Sequence, residues 1–167
     1  MKKVLLIAVS VLSLLGLYAC DNSINKVFDP ATPIVEFQPA VLTANSVGRF
    51  YPLISTGNNT TLASTQTAQL NLVGRQRSSE LTVRVLIDQT GNPMGTGTTA
   101  QASSYTLSNG GTVVFAPNSS TAAMTISVGK ATSTTASVAN IVLVIDSTST
   151  DYKASQNYKR VGYSFRQ

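Results

Sequence analysis

LTVRVLID, residues 81–88, is the stretch whose reading decides the fold. Leu81, Val83, Val85 and Ile87 alternate with Thr82, Arg84 and Leu86. Successive side chains of a strand point to opposite faces, so this period of two predicts a half-buried β-strand with Arg84 directed outward. The same period recurs on both sides of it. Upstream, Ala68, Leu70 and Leu72 alternate with Gln69, Asn71 and Val73, and residues 74–79 form a polar turn. Downstream, Ala122, Met124, Ile126 and Val128 alternate with Ala123, Thr125 and Ser127. Near the end of the chain, Val161, Tyr163 and Phe165 alternate with polar residues and are expected to face the core.

Between these segments the chain carries turn chemistry. Residues 88–99 are rich in Gly, Asn and Thr and read as a long loop, and residues 55–66 read as an exposed one. Asn109-Gly110-Gly111, between Tyr105-Leu107 and Val113-Phe115, predicts a hairpin, because a tight turn wants residues that tolerate positive φ. Pro117-Asn118-Ser119 turns the chain again. Residues 141–145 are an unbroken apolar run, expected of a central strand covered on both sides. Ile34 to Phe37 and Phe50 to Ile54 are shorter pieces, and Pro52 suits the second to an edge. No window beyond the N-terminal segment has helical periodicity. The expectation is all-β: an immunoglobulin-like antiparallel β-sandwich of about seven strands, with a jelly roll or barrel as the alternative.

The N-terminal segment has a different character. Lys2 and Lys3 precede an apolar run from Val4 to Leu17, which ends in Leu17-Tyr18-Ala19-Cys20. A basic start followed by a short apolar run reads as an export signal, and the run falls short of the roughly 20 residues of a comfortable bilayer span. The tetrad ending in Cys20 resembles a bacterial lipobox, which implies cleavage after residue 19 and a diacylglycerol on the Cys20 thiol. The expected organisation is a signal peptide at 1–19, a lipidated tether at 20–33 and a β-sandwich domain at 34–167. The tether is polar and carries Pro30 and Pro33. Its anchor would place the domain at the outer membrane, on the cell surface or the periplasmic face.

Composition narrows the chemistry. The chain has 12 Lys and Arg, 7 Asp and Glu, no His and one Cys. Without Lys2 and Lys3 its net charge is about +3, and no basic patch interleaved with aromatics is visible, so nucleic acid is not an expected partner. The absence of His removes the commonest general base and zinc ligand. Glycoside hydrolysis needs two positioned carboxylates, and the acids are scattered singly. No enzyme activity is therefore expected. No cofactor is expected either, calcium included, because a hard cation needs several oxygen ligands at once and Asp88, Asp146 and Asp151 read as separate solvated loop acids.

Residues 81–128 carry a family resemblance through LTVRVLID, AQASSYTL (residues 100–107) and GGTVVFAPNSSTAAMTISV (residues 110–128). In order, these are similar to Calx-beta and related immunoglobulin-like modules of bacterial surface lipoproteins. Ser104 stands where that pattern has an acidic residue before the tyrosine, and Asn118 where it has glycine. Such lipoproteins often accompany outer-membrane glycan-uptake systems, so the resemblance implies a non-catalytic glycan-binding or accessory module of unknown detailed function.

Sugar faces stack on exposed aromatic rings. The chain has no Trp, but Tyr51, Tyr105, Tyr152, Tyr158 and Tyr163 remain. Tyr152 and Tyr158 lie in the polar stretch STSTDYKASQNYKR, residues 147–160, and with Asn157 and Lys159 they are the candidate contacts for a polysaccharide or polyanion. The competing assignment for each tyrosine is a strand-end anchor. The alternative function is a structural or adhesive domain, in which an edge strand near Ile34 or the chain end accepts a strand from an envelope protein.

Two or three acyl chains hold a protein at a bilayer where none would. Cys20→Ala is therefore expected to move the protein from the membrane fraction to the soluble fraction and to abolish metabolic lipid labelling.

Overall fold

The structure is a computed structural model and describes residues 32–91 and 95–167. The expected signal segment, Cys20 and the tether up to residue 31 lie outside the described residues. Within them the alternating segments become strands: β1 (Ile34–Phe37), β2 (Leu53–Ser55), β3 (Ser64–Val73), β4 (Leu81–Ile87), β5 (Tyr105–Leu107), β6 (Thr112–Phe115), β7 (Thr121–Val128), β8 (Val138–Ile145), β9 (Lys153–Ala154) and β10 (Arg160–Arg166). One short helix, α1 (Gln38–Leu42), follows β1. Among the described residues no helix is long and apolar enough to cross a membrane.

The strands form two five-stranded sheets, ordered β5-β7-β3-β1-β9 and β2-β10-β8-β4-β6. Seven of them, β5-β7-β3-β1 facing β4-β8-β10, reproduce the four-plus-three arrangement of an immunoglobulin-like sandwich. The short strands β2, β6 and β9 extend it. The sheets are mixed rather than purely antiparallel, since β9 runs parallel to β1 and β2 parallel to β10. Both parallel pairings are brief, over two and three residues respectively.

The period of two builds the core. Val35 and Phe37, Leu70 and Leu72, and Met124 and Ile126 project from one sheet onto Val83 and Val85, Val113 and Phe115, Ile141 and Leu143, and Val161, Tyr163 and Phe165 of the other. Each is buried, and full burial of a large apolar side chain is worth about 1.5–3 kcal/mol. Central β8 is covered on both sides, since Ile141, Val142 and Leu143 are all inaccessible to solvent.

Three expectations are corrected. The Asn109-Gly110-Gly111 turn does not make a hairpin: β5 pairs with β7 and β6 with β4, so the turn carries the chain from one sheet to the other. Its three residues have φ of 49°, 59° and 87°, as their types foretold, but Gly111 is pressed against the Val85 carbonyl, where a Cβ would collide. The proposed docking edges are also closed. Along the outer edge of β1, Pro33 and Val35 carbonyls accept Lys153 and Ser155 N–H groups, and Phe37 N–H donates to the Tyr158 carbonyl. The terminal strand β10 lies between β2 and β8. Finally, residues 55–66 are only partly an exposed loop: β3 begins at Ser64, and the buried Asn58 amide donates to the Gly129 and Arg166 carbonyls while its oxygen accepts Arg166 N–H.

The described parts of the long loop after β4, residues 88–91 and 95–100, form a strap hydrogen-bonded to β8. Asp88 N–H donates to the Val142 carbonyl, the chain leaves the sheet, and on its return Thr98 Oγ1 accepts Val142 N–H while Thr99 Oγ1 accepts Asn140 N–H. The strap meets Tyr51, whose hydroxyl donates to the Thr96 carbonyl and whose ring is fully buried. Gly162 makes this possible: a Cβ there would sit 2.9 Å from the Tyr51 ring and 2.9 Å from Leu53 Cδ1. Forcing a methyl into such a contact typically costs about 1–3 kcal/mol. Gly162→Ala is expected to lower stability by about that amount, read as a reduced urea midpoint with an unchanged slope.

Candidate functional site

The rim where the two sheets meet carries a cleft of about 480 Å³, lined by Asn45, Phe50, Gln156, Asn157, Tyr158, Lys159 and Arg160. Two short pieces of chain form its walls, and backbone hydrogen bonding holds each of them.

The first wall is the stretch leading into β10. The Tyr158 carbonyl accepts Phe37 N–H from the first sheet at 2.9 Å, and the Lys159 carbonyl accepts Ile145 N–H from the second at 3.0 Å. Residues 158 and 159 thus bridge the sheets, which fixes their backbone and leaves their side chains at the rim. Ser155 Oγ accepts Tyr158 N–H at 3.3 Å and tightens the turn before them.

The second wall is the loop between α1 and β2. Ser46 organises it: its N–H donates to the Tyr51 carbonyl, its carbonyl accepts Arg49 N–H, and its Oγ accepts Leu53 N–H at 2.9 Å. Arg49 and Tyr51 turn inward, with Arg49 Nη1 donating to Tyr51 Oη at 2.7 Å and the guanidinium 5.5 Å from the ring centroid. Phe50 between them is left outward and 48% exposed. Tyr158, on the other wall, is 38% exposed.

Behind the cleft, Arg160 Nε donates to Asp88 Oδ2 at 2.8 Å. The other Asp88 oxygen accepts Thr90 N–H at 3.0 Å, Thr90 Oγ1 at 3.1 Å and Gly91 N–H at 2.9 Å. Burial acts to raise the Asp88 carboxyl, but the Arg160 guanidinium and the Gly91 and Thr90 donors outweigh it and hold the group below the usual aspartate range. Asp88 is accordingly a buried structural anion rather than a solvated loop acid. Asp146 takes a different role, its Oδ1 accepting Thr148 N–H and Oγ1 in a local turn, which together hold its carboxyl below the usual range despite some burial. Among the described residues no group of three or more Cys, His, Asp or Glu side chains could hold a metal ion.

Asn157, Tyr158 and Lys159, three of the four candidate contacts, come together in the cleft. Tyr152 does not. It is 3% exposed and packed in the core, and its hydroxyl accepts Arg84 N–H at 3.2 Å, so it anchors the loop before β9 and has no free face for a sugar. Tyr51 and Tyr163 are likewise buried. Sequence reasoning missed Asn45, Phe50 and Gln156. Phe50 sat at the head of an apolar piece read as a strand, and nothing in its neighbours shows that Tyr51 would take the buried place.

No protein-family model matches the chain, and no curated protein matches it. Solved structures are similar in fold. A Bacteroides ovatus protein provisionally named as carbohydrate-binding aligns with a TM-score of 0.50 at 12% identity, over 81% of this chain and 37% of its own. A two-domain protein of unknown function from Bacteroides fragilis aligns with a TM-score of 0.51 at 10% identity, over 87% of this chain and 50% of its own. The chain therefore spans between a third and a half of the length of these proteins, and at such identities the likeness shows a shared β-sandwich fold.

A carboxylate with a lowered pKa stabilises the fold above its unfolded value of about 3.9, and that contribution disappears as pH falls through the folded value. Asp88→Asn, which leaves Arg160 without its counter-charge, is expected to cost about 2–3 kcal/mol at pH 7. The gap between mutant and parent should begin to narrow as pH falls below about 4, as measured by urea unfolding at pH 7 and pH 3.

Proposed function

We propose that this chain is a non-catalytic, lipid-anchored envelope module that binds glycan in the rim cleft, as an accessory to uptake at the outer membrane. The observation that carries the reading is the pairing of two half-exposed rings, Phe50 and Tyr158, across a cleft whose remaining uncharged lining is the amides of Asn45, Gln156 and Asn157. Aromatic rings offer an apolar face to the C–H side of a pyranose, and side-chain amides both donate to and accept from its hydroxyls. The cleft volume lies within the range of small-molecule sites. Among the described residues no Asp or Glu lines it, whereas glycoside hydrolysis uses a pair of carboxylates across the scissile bond. The shared fold with a protein provisionally named as carbohydrate-binding supports the same reading.

A second reading has its own observation. Val41, Leu42, Val47 and Phe50 are all exposed within ten residues, Leu42 to 75%, and such a cluster suits packing against a protein partner.

The two readings separate by mutation. In a polysaccharide panel, Tyr158→Ala and Phe50→Ala are each expected to weaken glycan binding about fivefold to tenfold, the loss of roughly 1 kcal/mol of ring contact, with the fold intact. Leu42→Asp should leave glycan binding unchanged. A folded chain that binds no glycan, yet loses a crosslinked envelope partner on Leu42→Asp, would establish the packing role instead.

A further inference from the structure

The cleft carries two cations, Lys159 and Arg160, and among the described residues no carboxylate lines it. Asp88 neutralises one of them from behind, at the cost of a single N–H, because the contact is made through Nε alone. Among the described residues the Arg160 side chain makes no other hydrogen bond, so its two terminal amino groups are left unpaired. That end of a guanidinium is the part that grips a carboxylate or sulfate with two parallel N–H donors. The Asp88 contact also holds the guanidinium in place, which reduces the ordering cost of using it. Lys159 adds a mobile point charge beside it, and the trio with Asp88 keeps one net positive charge.

From this we infer that the glycan taken by the cleft is acidic: a pyranose bearing a carboxylate or a sulfate ester, seated on Tyr158 and Phe50 with its anionic group toward Arg160 and Lys159. The inference rests on the glycan-binding reading and narrows it to a substrate class. A neutral sugar would satisfy the rings and amides but leave Lys159 and the terminal amino groups of Arg160 without an anionic partner. An acidic one satisfies all of them, and its attraction to the cleft weakens with salt.

The test uses pairs of polymers that differ only in charge: polygalacturonate against its fully methyl-esterified form, and dextran sulfate against dextran. Binding of the full chain is measured at low and physiological ionic strength. The acidic member of at least one pair should bind about tenfold or more tighter than its neutral counterpart, and the preference should shrink as salt rises. Which pair shows it distinguishes carboxylate from sulfate.

Lys159→Glu should cost about tenfold in affinity for the acidic polymer, as expected for reversing a charge in the site. Lys130→Glu is the control. Lys130 lines a separate cleft with Arg166 and Gln167 at the other end of β10, and its reversal should change binding less than about twofold. Circular dichroism and urea midpoints establish that both variants are folded. Equal affinity within both polymer pairs, or no loss on Lys159→Glu, overturns the acidic class while leaving glycan binding standing. Equal losses from the two variants overturn it as well, since the attraction would then be spread over the whole surface. No binding to any of the four polymers or to the wider panel removes both this inference and the reading beneath it.

Discussion

The Asp88 carboxylate is the constraint on which the strap, the centre of the second sheet and the back of the cleft all depend. Through its backbone it both leaves the sheet, donating to Val142, and receives the returning strap, accepting Thr98 N–H. Through its side chain it turns the first residues of the strap with one oxygen and holds Arg160 with the other. A buried anion is costly unless its charge and its lone pairs are answered. Here both are, and three separate pieces of chain are thereby fixed relative to one another. The strap also pins Tyr51, whose ring lies over Gly162, the β10 partner of Val142, and β8 is buried on two faces although only one of them looks into the sandwich.

Much of this architecture was legible in the residues, and the boundary of legibility is physical. Strands that bury one face announce themselves by alternation, which is why β3, β4, β7 and β10 could be read in advance with their inward residues. Turn chemistry was equally visible at Asn109-Gly110-Gly111, but positive φ only says that the chain bends. Whether the bend returns the strand to its own sheet or passes it to the other depends on pairings many residues away, with β7 and β4. The same limit explains Asp88. Its partner is Arg160, 72 positions along the chain, and no local pattern joins them.

The candidate site shows the same division. A polar stretch containing tyrosines located one wall of the cleft, and Asn157, Tyr158 and Lys159 line it. The stretch could not show which tyrosine would be spent on the core, and Tyr152 was. The difference is made by position: Tyr152 precedes β9 and packs in the core with its hydroxyl on Arg84 N–H, whereas Tyr158 lies in the stretch that bridges the sheets, its carbonyl held by β1 and its ring at the rim. The opposite wall came from a loop whose exposed Phe50 is a consequence of two inward neighbours, Arg49 and Tyr51, locking onto the strap at Thr96.

The four strands that end the two sheets, β5 and β9 on one and β2 and β6 on the other, have only two to four residues each. An exposed edge is a template for any extended chain, and its hazard grows with the length of continuous unpaired backbone it displays. Strands this brief present too few hydrogen-bonding groups in register to nucleate a ladder between molecules. The end strands themselves therefore offer little seam along which two copies could fuse into a continuous sheet, and a longer stretch of edge lies where β7 runs on past β5, from Thr121 to Thr125.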